Sequence, residues 1–125
     1  MGKTSLKIPK NFFSHSDMEN KIAVVLTTFP DDKSARKTAL SMLKEGLAAC
    51  AQIGGEIASI YCWKGKLCDE REIPVKLKIP LGKLDAAREF FLRDHPYECP
   101  QWIALEAEAS QSYAKWVDET RPLPD

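Results

Sequence analysis

The sequence has no apolar run of membrane length: its longest, such as residues 22–26 (IAVVL), fall far below the roughly 20 residues needed to cross a bilayer. It has no surplus of either charge. Eighteen Lys and Arg offset eighteen Asp and Glu, so no global field draws the chain toward nucleic acid or an anionic membrane. The same neutrality leaves self-association weakly opposed. There is no C-x-x-C pair. Cys50, Cys62, Cys68 and Cys99 are spaced like neither a zinc site nor a disulfide framework and read as small buried hydrophobes. A secretory signal is also missing, because Lys7, Pro9 and Lys10 interrupt Leu6 and Ile8 before an apolar stretch of about 7 to 15 residues can form. Leu6 stands where a myristoylation motif wants Ser or Thr. The expected location is cytoplasmic, with no membrane partner.

What is present is a single ordinary domain. The chain has 125 residues, 44% apolar and 29% charged, enough for one modest core. Residues 1–20 carry no sustained period and are expected to be a poorly ordered leader; residues 21–125 form the domain. Residues 57–79 organise it. Ile57, Ser59, Tyr61 and Trp63 alternate on one arm and Ile73, Val75, Leu77 and Ile79 on the other, which is the period of two expected of strands, with Lys64-Gly65 as a two-residue turn. That turn offsets Cys62 and Cys68 by one position. Pro74 lacks an N–H, so the second arm needs a bulge or an outward edge there.

The other elements follow in order. Residues 22–28, IAVVLTT, read as a central strand, and Asp31-Asp32 caps a helix with Ala35, Ala39, Met42 and Leu43 inward and Gly46 as its stop. Residues 48–53 are extended and Gly54-Gly55 is a corner or bulge. A second helix turns Leu84, Ala87, Arg88, Phe91 and Leu92 inward and ends at Asp94-His95-Pro96. Residues 101–107 form a fourth strand. Ser110 caps a short last helix bearing Tyr113, Trp116 and Val117 on one face. This order predicts an α+β ferredoxin-like βαββαβ sandwich with an extra C-terminal helix and a long β2-β3 hairpin, both crossover helices lying on one face. The other face is left bare, and a bare face with a projecting ribbon predicts a closed self-assembly.

The fold alone does not set function. An acylphosphatase-like hydrolase needs an asparagine to orient water, and the only two, Asn11 and Asn20, precede the domain. A copper chaperone needs two thiols after the first strand, where this chain has Thr27-Thr28-Phe29-Pro30. An RNA-binding version needs aromatics on the inner strands, and residues 73–79 have none. No Ser/His/Asp or Cys/His set assembles, so no catalytic residue and no enzyme activity is expected, nor any required cofactor. His95 is the one histidine within the domain, suited to a divalent metal such as copper(II) with Asp94 beside it, or simply to capping its helix. Tyr61, Trp63, Glu72, Lys78 and Tyr97 form a second candidate set, a ligand site if neighbouring subunits meet there; otherwise Glu72 and Lys78 are solvated or paired.

Four separated stretches, VVLTTFPD (24–31), EGLAACAQI (45–53), SIYCWKGKL (59–67) and HPYECP (95–100), together resemble the CutA divalent-cation tolerance proteins. The likeness runs in one register over about residues 21–120. It implies a ferredoxin-like subunit, a tight homotrimer built through the long hairpin strands, and a non-enzymatic role in tolerance of copper and other divalent ions. It also resembles the PII signalling proteins, trimers that bind small effectors between subunits, which gives the alternative function. The copper ligands proposed for the family are a cysteine in the first strand and two adjacent histidines before Pro-Tyr. Here those positions hold Thr27 and Asp94-His95, so only His95 is kept and the aspartate favours harder cations. Gln101 stands where many relatives have glutamate.

Overall fold

A computed structural model describes residues 20–124; the expected leader up to residue 19, including His15, lies outside them. The elements are β1 (Lys21–Phe29), α1 (Asp32–Lys44), β2 (Cys50–Ile53), β3 (Ile57–Trp63), β4 (Lys66–Ile79), a 3-10 turn (Leu81–Lys83), α2 (Leu84–Asp94), β5 (Ile103–Glu108) and α3 (Gln111–Asp118). All strand pairings are antiparallel, in the order β2-β4-β1-β5, with β3 paired to the first half of β4.

β4 is the axis of the sheet. Its first half, Lys66 to Glu72, pairs only with β3, whereas Ile73 to Ile79 pairs with β1. Lys64 and Gly65 both have positive φ, 52° and 79°, and Trp63 faces Lys66, so the hairpin closes on the expected two-residue turn. Tyr61, not Cys62, therefore opposes Cys68.

Pro74 is accommodated by its neighbour strand. The Pro74 carbonyl accepts from the Gly54 N–H at 2.9 Å, on the β2 side. In an antiparallel strand a residue's N–H and C=O point to the same partner, so the missing donor also faces β2 and leaves the β1 ladder intact. At that point β2 ends and β3 begins, with the register slipping by one residue between the Ile53–Val75 and Ile57–Glu72 pairs. The bulge lies on the facing chain at Gly54-Gly55, the expected corner between β2 and β3, and not on the arm that carries Pro74.

α1 and α2 cover one face. Asp31 caps α1, its carboxylate accepting from the Ser34 N–H at 2.7 Å, and Gly46 (φ 71°) ends it, with the Leu47 N–H donating to the Met42 carbonyl. Ala23, Val25 and Phe29 of β1, Met42 of α1, Phe91 of α2 and Val75, Leu77 and Ile79 of β4 make the core. The helix stripes differ from expectation by one or two positions. Thr38 is buried in α1 while Leu43 is only half-buried, and in α2 Arg88 and Leu92 are exposed while Phe90 packs inward. α2 enters through a 3-10 turn, and Phe90 and Phe91 both reach the core beside Trp102.

The opposite face is only partly bare. α3 packs there through Ala114 and Val117 against Ile22, with Tyr113 and Val24 beside them. Trp116, expected on the inner side, is exposed and leans on Tyr113 at 5.6 Å. The rest of that face, including Ile103 and Leu105, stays exposed.

Candidate functional site

Strand alternation puts Glu70 and Glu72 of β4, Tyr61 and Trp63 of β3, and Thr28 of β1 on the face away from α1 and α2. Thr28 pairs with Pro74, one step along the same face from Glu72. Its hydroxyl donates to Glu72 Oε2 at 3.0 Å, and the Tyr97 hydroxyl donates to the same oxygen at 2.8 Å.

His95 sets where Tyr97 stands. The Tyr97 N–H donates to His95 Nδ1 at 3.0 Å, so that nitrogen carries no proton; Nε2 then holds it and donates to the Thr28 carbonyl at 2.8 Å. The result is a closed circuit: Thr28 backbone, His95 ring, Tyr97 backbone, Tyr97 hydroxyl, Glu72 carboxylate, Thr28 hydroxyl. The ring is buried, stacked on Phe29 at 4.4 Å and touching Phe91 and Tyr97. Burial lowers its pKa, opposed by the Thr28 hydrogen bond and the charges of Glu72 and Asp94. Burial, then Glu72, holds the Tyr97 phenol far above its ordinary range, so it remains a donor. Burial and the charges of Glu70, Cys68 and Glu72 also raise the Tyr61 phenol.

These groups line a hollow of about 330 Å³. Tyr61, Trp63 and Tyr97 make its walls; Glu70, Glu72 and Glu98 supply carboxylates; Thr28, Cys99 and Gln101 complete it. A second hollow, about 470 Å³, continues across the sheet past Thr28 and Gln101 to Leu26, Ile57 and Lys76.

The structure therefore brings together four of the five residues expected to bind a ligand. Lys78 is the exception. It lies six residues beyond Glu72 on the same strand, about 20 Å away at 3.3 Å per residue, and its ammonium lies 3.5 Å from the Tyr113 hydroxyl. Nor do His95 and Asp94 converge. Both imidazole nitrogens are already hydrogen-bonded, and the Asp94 carboxylate accepts from the Thr38 hydroxyl at 3.2 Å. As placed, His95 has no lone pair for a metal, and Thr27, which the resemblance aligned with a cysteine ligand, is buried on the core face. Among the described residues no group of three or more His, Cys, Asp or Glu is arranged to hold a metal ion. Thr28, Glu70 and Glu98 were not anticipated as site residues. Glu70 could have been found by extending the β4 alternation backward from Glu72; Thr28 required the β1–β4 register.

A protein-family model described as "CutA1 divalent ion tolerance protein" matches residues 23–120. The divalent-cation tolerance protein CutA of Pyrococcus horikoshii is 35% identical over 100 residues, covering 78% of this chain and 97% of that protein. A CutA homolog of Xenopus laevis is 34% identical over 110 residues, 87% of this chain and 73% of that protein. The chain spans only 56% of mouse Protein CutA, at 33% identity. Among solved structures, CutA1 from Shewanella sp. SIB1 superposes with a TM-score of 0.77 at 30% identity, covering 83% of this chain and 97% of that one. CutA1 from Oryza sativa gives 0.75 at 32% identity, with 81% and 93% covered.

Proposed function

Because the chain belongs to the CutA1 divalent ion tolerance family, we propose that it acts without catalysis, as a ferredoxin-like homotrimer that binds a small positively charged ligand in the Glu72 pocket. The observation that carries this reading is the Glu72 carboxylate, oriented by the Thr28 and Tyr97 hydroxyls at the floor of an acidic, aromatic-walled hollow. Two charge-assisted hydrogen bonds fix the carboxylate before any ligand arrives, which reduces the ordering cost of binding. The sign of the lining decides the ligand's charge. With Glu98 paired to Lys64, Glu70 and Glu72 still repel an anionic effector, so the PII-like alternative is kept for its architecture and changed in the charge of what it binds.

Trimerisation is supported by what the described residues leave uncovered. β3 pairs only with β4, Ile60 and Leu67 of the ribbon are 68% and 78% exposed, and Ile103 and Leu105 are open on the sheet face. A ring of subunits would bury these surfaces and put the Glu72 pocket beside a neighbour.

Light scattering and a panel titration test the reading together. Trp63 fluorescence would be followed while inorganic and organic cations, copper(II) among them, are added to wild type, Glu72→Gln and His95→Ala. A trimer whose cation response disappears in Glu72→Gln is expected. A monomer, or no cation response dependent on Glu72, refutes the proposal; copper binding abolished only by His95→Ala would move the site to the end of α2.

A further inference from the structure

The residues around Glu72 also specify which class of cation. Resting on the pocket reading above, we propose that the ligand is an organic ammonium, a short aliphatic amine or diamine, with Glu72 as its counter-ion and Tyr61, Trp63 and Tyr97 as the enclosing walls.

Three observations separate this from a bare metal ion. First, the hollow is walled by aromatic rings, which give a metal no ligand but attract an ammonium through their negative faces. Hard divalent ions need about six to eight oxygen ligands, and among the described residues no group of three or more His, Cys, Asp or Glu is arranged to hold one; the Thr28 and Tyr97 hydroxyls both donate to Glu72 Oε2. Those two bonds share one oxygen and leave Oε1 to accept from an N–H donor.

Second, the chain already places an ammonium on this kind of surface. Lys64 Nζ sits 5.7 Å from the Trp63 ring centre and 3.7 Å from Glu98 Oε1. Its arrangement, a cation over the indole with a carboxylate alongside, is that proposed for the ligand deeper in, with Glu72 in place of Glu98.

Third, the dimensions suit a short chain with one or two charged ends. A hollow of about 330 Å³ equals roughly ten waters at about 30 Å³ each. Glu70 and Glu72 are two residues apart on one face, so their backbones are about 7 Å apart. A ligand with two ammonium groups could meet both carboxylates while its methylenes lie between Tyr61 and Tyr97.

The test is calorimetry on the full chain with 1,4-diaminobutane, tetramethylammonium, succinate and manganese(II), using wild type, Glu72→Gln, Trp63→Leu and Lys78→Gln. Trp63 lies outside both core clusters of the subunit, so its replacement leaves them untouched, and light scattering and thermal melts of each variant check assembly and folding. Diamine binding is expected in wild type, weakened about tenfold or more by Glu72→Gln and several-fold by Trp63→Leu, and unchanged in Lys78→Gln. Tetramethylammonium, which has no N–H, should bind more weakly than the diamine. Manganese binding that depends on Glu72, with no amine binding, overturns the ammonium assignment and leaves the cation pocket standing. Succinate binding without diamine binding, or no binding by any probe, overturns both.

Discussion

Thr27 and Thr28 are adjacent in sequence, both almost fully buried, and replacement of each by valine is predicted to change stability in opposite directions. Thr27 faces the core among Val25, Val75 and Phe29. Its hydroxyl is the buried side-chain polar atom without a partner among the described residues, in a residue 2% exposed. Valine has nearly the same shape. Thr27→Val thus removes an unsatisfied polar group and creates no cavity, so it should recover part of a desolvation penalty of about 1–3 kcal/mol, about 1 kcal/mol after relaxation. Thr28 points the other way and donates to Glu72 Oε2 at 3.0 Å. Thr28→Val deletes a hydrogen bond to a charged group, in a class contributing about 1.5–3 kcal/mol. Glu72 keeps the Tyr97 hydroxyl and borders an open hollow, which puts the loss at the low end, about 1.5 kcal/mol.

Guanidinium unfolding at one fixed protein concentration reads both effects, since a subunit equilibrium would otherwise shift the midpoints. The Thr27→Val midpoint should rise and the Thr28→Val midpoint fall, with unchanged slopes. A destabilised Thr27→Val would mean that its hydroxyl does have a partner, such as a buried water. Equal shifts in the same direction would refute the assignment of the two side chains to opposite faces.

Three further outcomes follow from local geometry. Gly46→Ala should destabilise by more than the roughly 1–2 kcal/mol of a left-handed alanine, because the added Cβ would meet the Pro122 nitrogen at 2.4 Å; Gly65→Ala, also at positive φ but with nothing within 4 Å, should cost only that backbone term. Equal denaturation midpoints for the two would disprove the close approach of the C-terminal segment. Lys83→Met should lose about 1–2 kcal/mol, since the Lys83 ammonium donates to the Gly46 and Thr120 carbonyls at 2.8 and 2.9 Å and ties the end of α1 to the segment after α3; an unchanged melt would show that this clasp contributes nothing. Stability should also fall with pH through His95. Its pKa is lower folded than its ordinary value of 6.5, so below that value the unfolded chain takes up a proton that the folded chain resists. Its contribution is therefore complete above about pH 6.5 and declines as pH drops from there toward the folded pKa; if His95→Gln leaves this slope unaltered, the titrating group is another.

The sheet was legible in the sequence because its signals are local. The IAVVLTT run, the alternation on both arms of the ribbon and Lys64-Gly65 each state a strand or turn within a few residues, and the cap at Asp31 and stop at Gly46 behave likewise. Helix faces were read less well. Arg88, Leu92 and Trp116 satisfy a helical period, but a single period leaves the facing angle uncertain by one position, and only the packing of Phe90 against its neighbours or of Ala114 against Ile22 selects it. Pro74 placed the irregularity on its own arm, whereas β4 runs unbroken and the slip falls on the facing chain at Gly54-Gly55; that depended on which side its missing N–H faced.

The site divides along the same line. Tyr61, Trp63, Glu72 and Tyr97 could be picked out as aromatic bodies and a carboxylate on strands or a stiff connector, yet Lys78 satisfies the same alternation and ends about 20 Å from Glu72. Alternation specifies a face, not a distance along it. His95 shows the complementary limit. An imidazole in a sequence offers two nitrogens to any partner, and its function depends on which backbone groups reach them first. Here the Thr28 carbonyl and the Tyr97 N–H take both, which turns a candidate metal ligand into the residue that positions Tyr97 over Glu72. His95→Ala should accordingly weaken cation binding through loss of Tyr97 placement, even though the imidazole itself does not line the hollow.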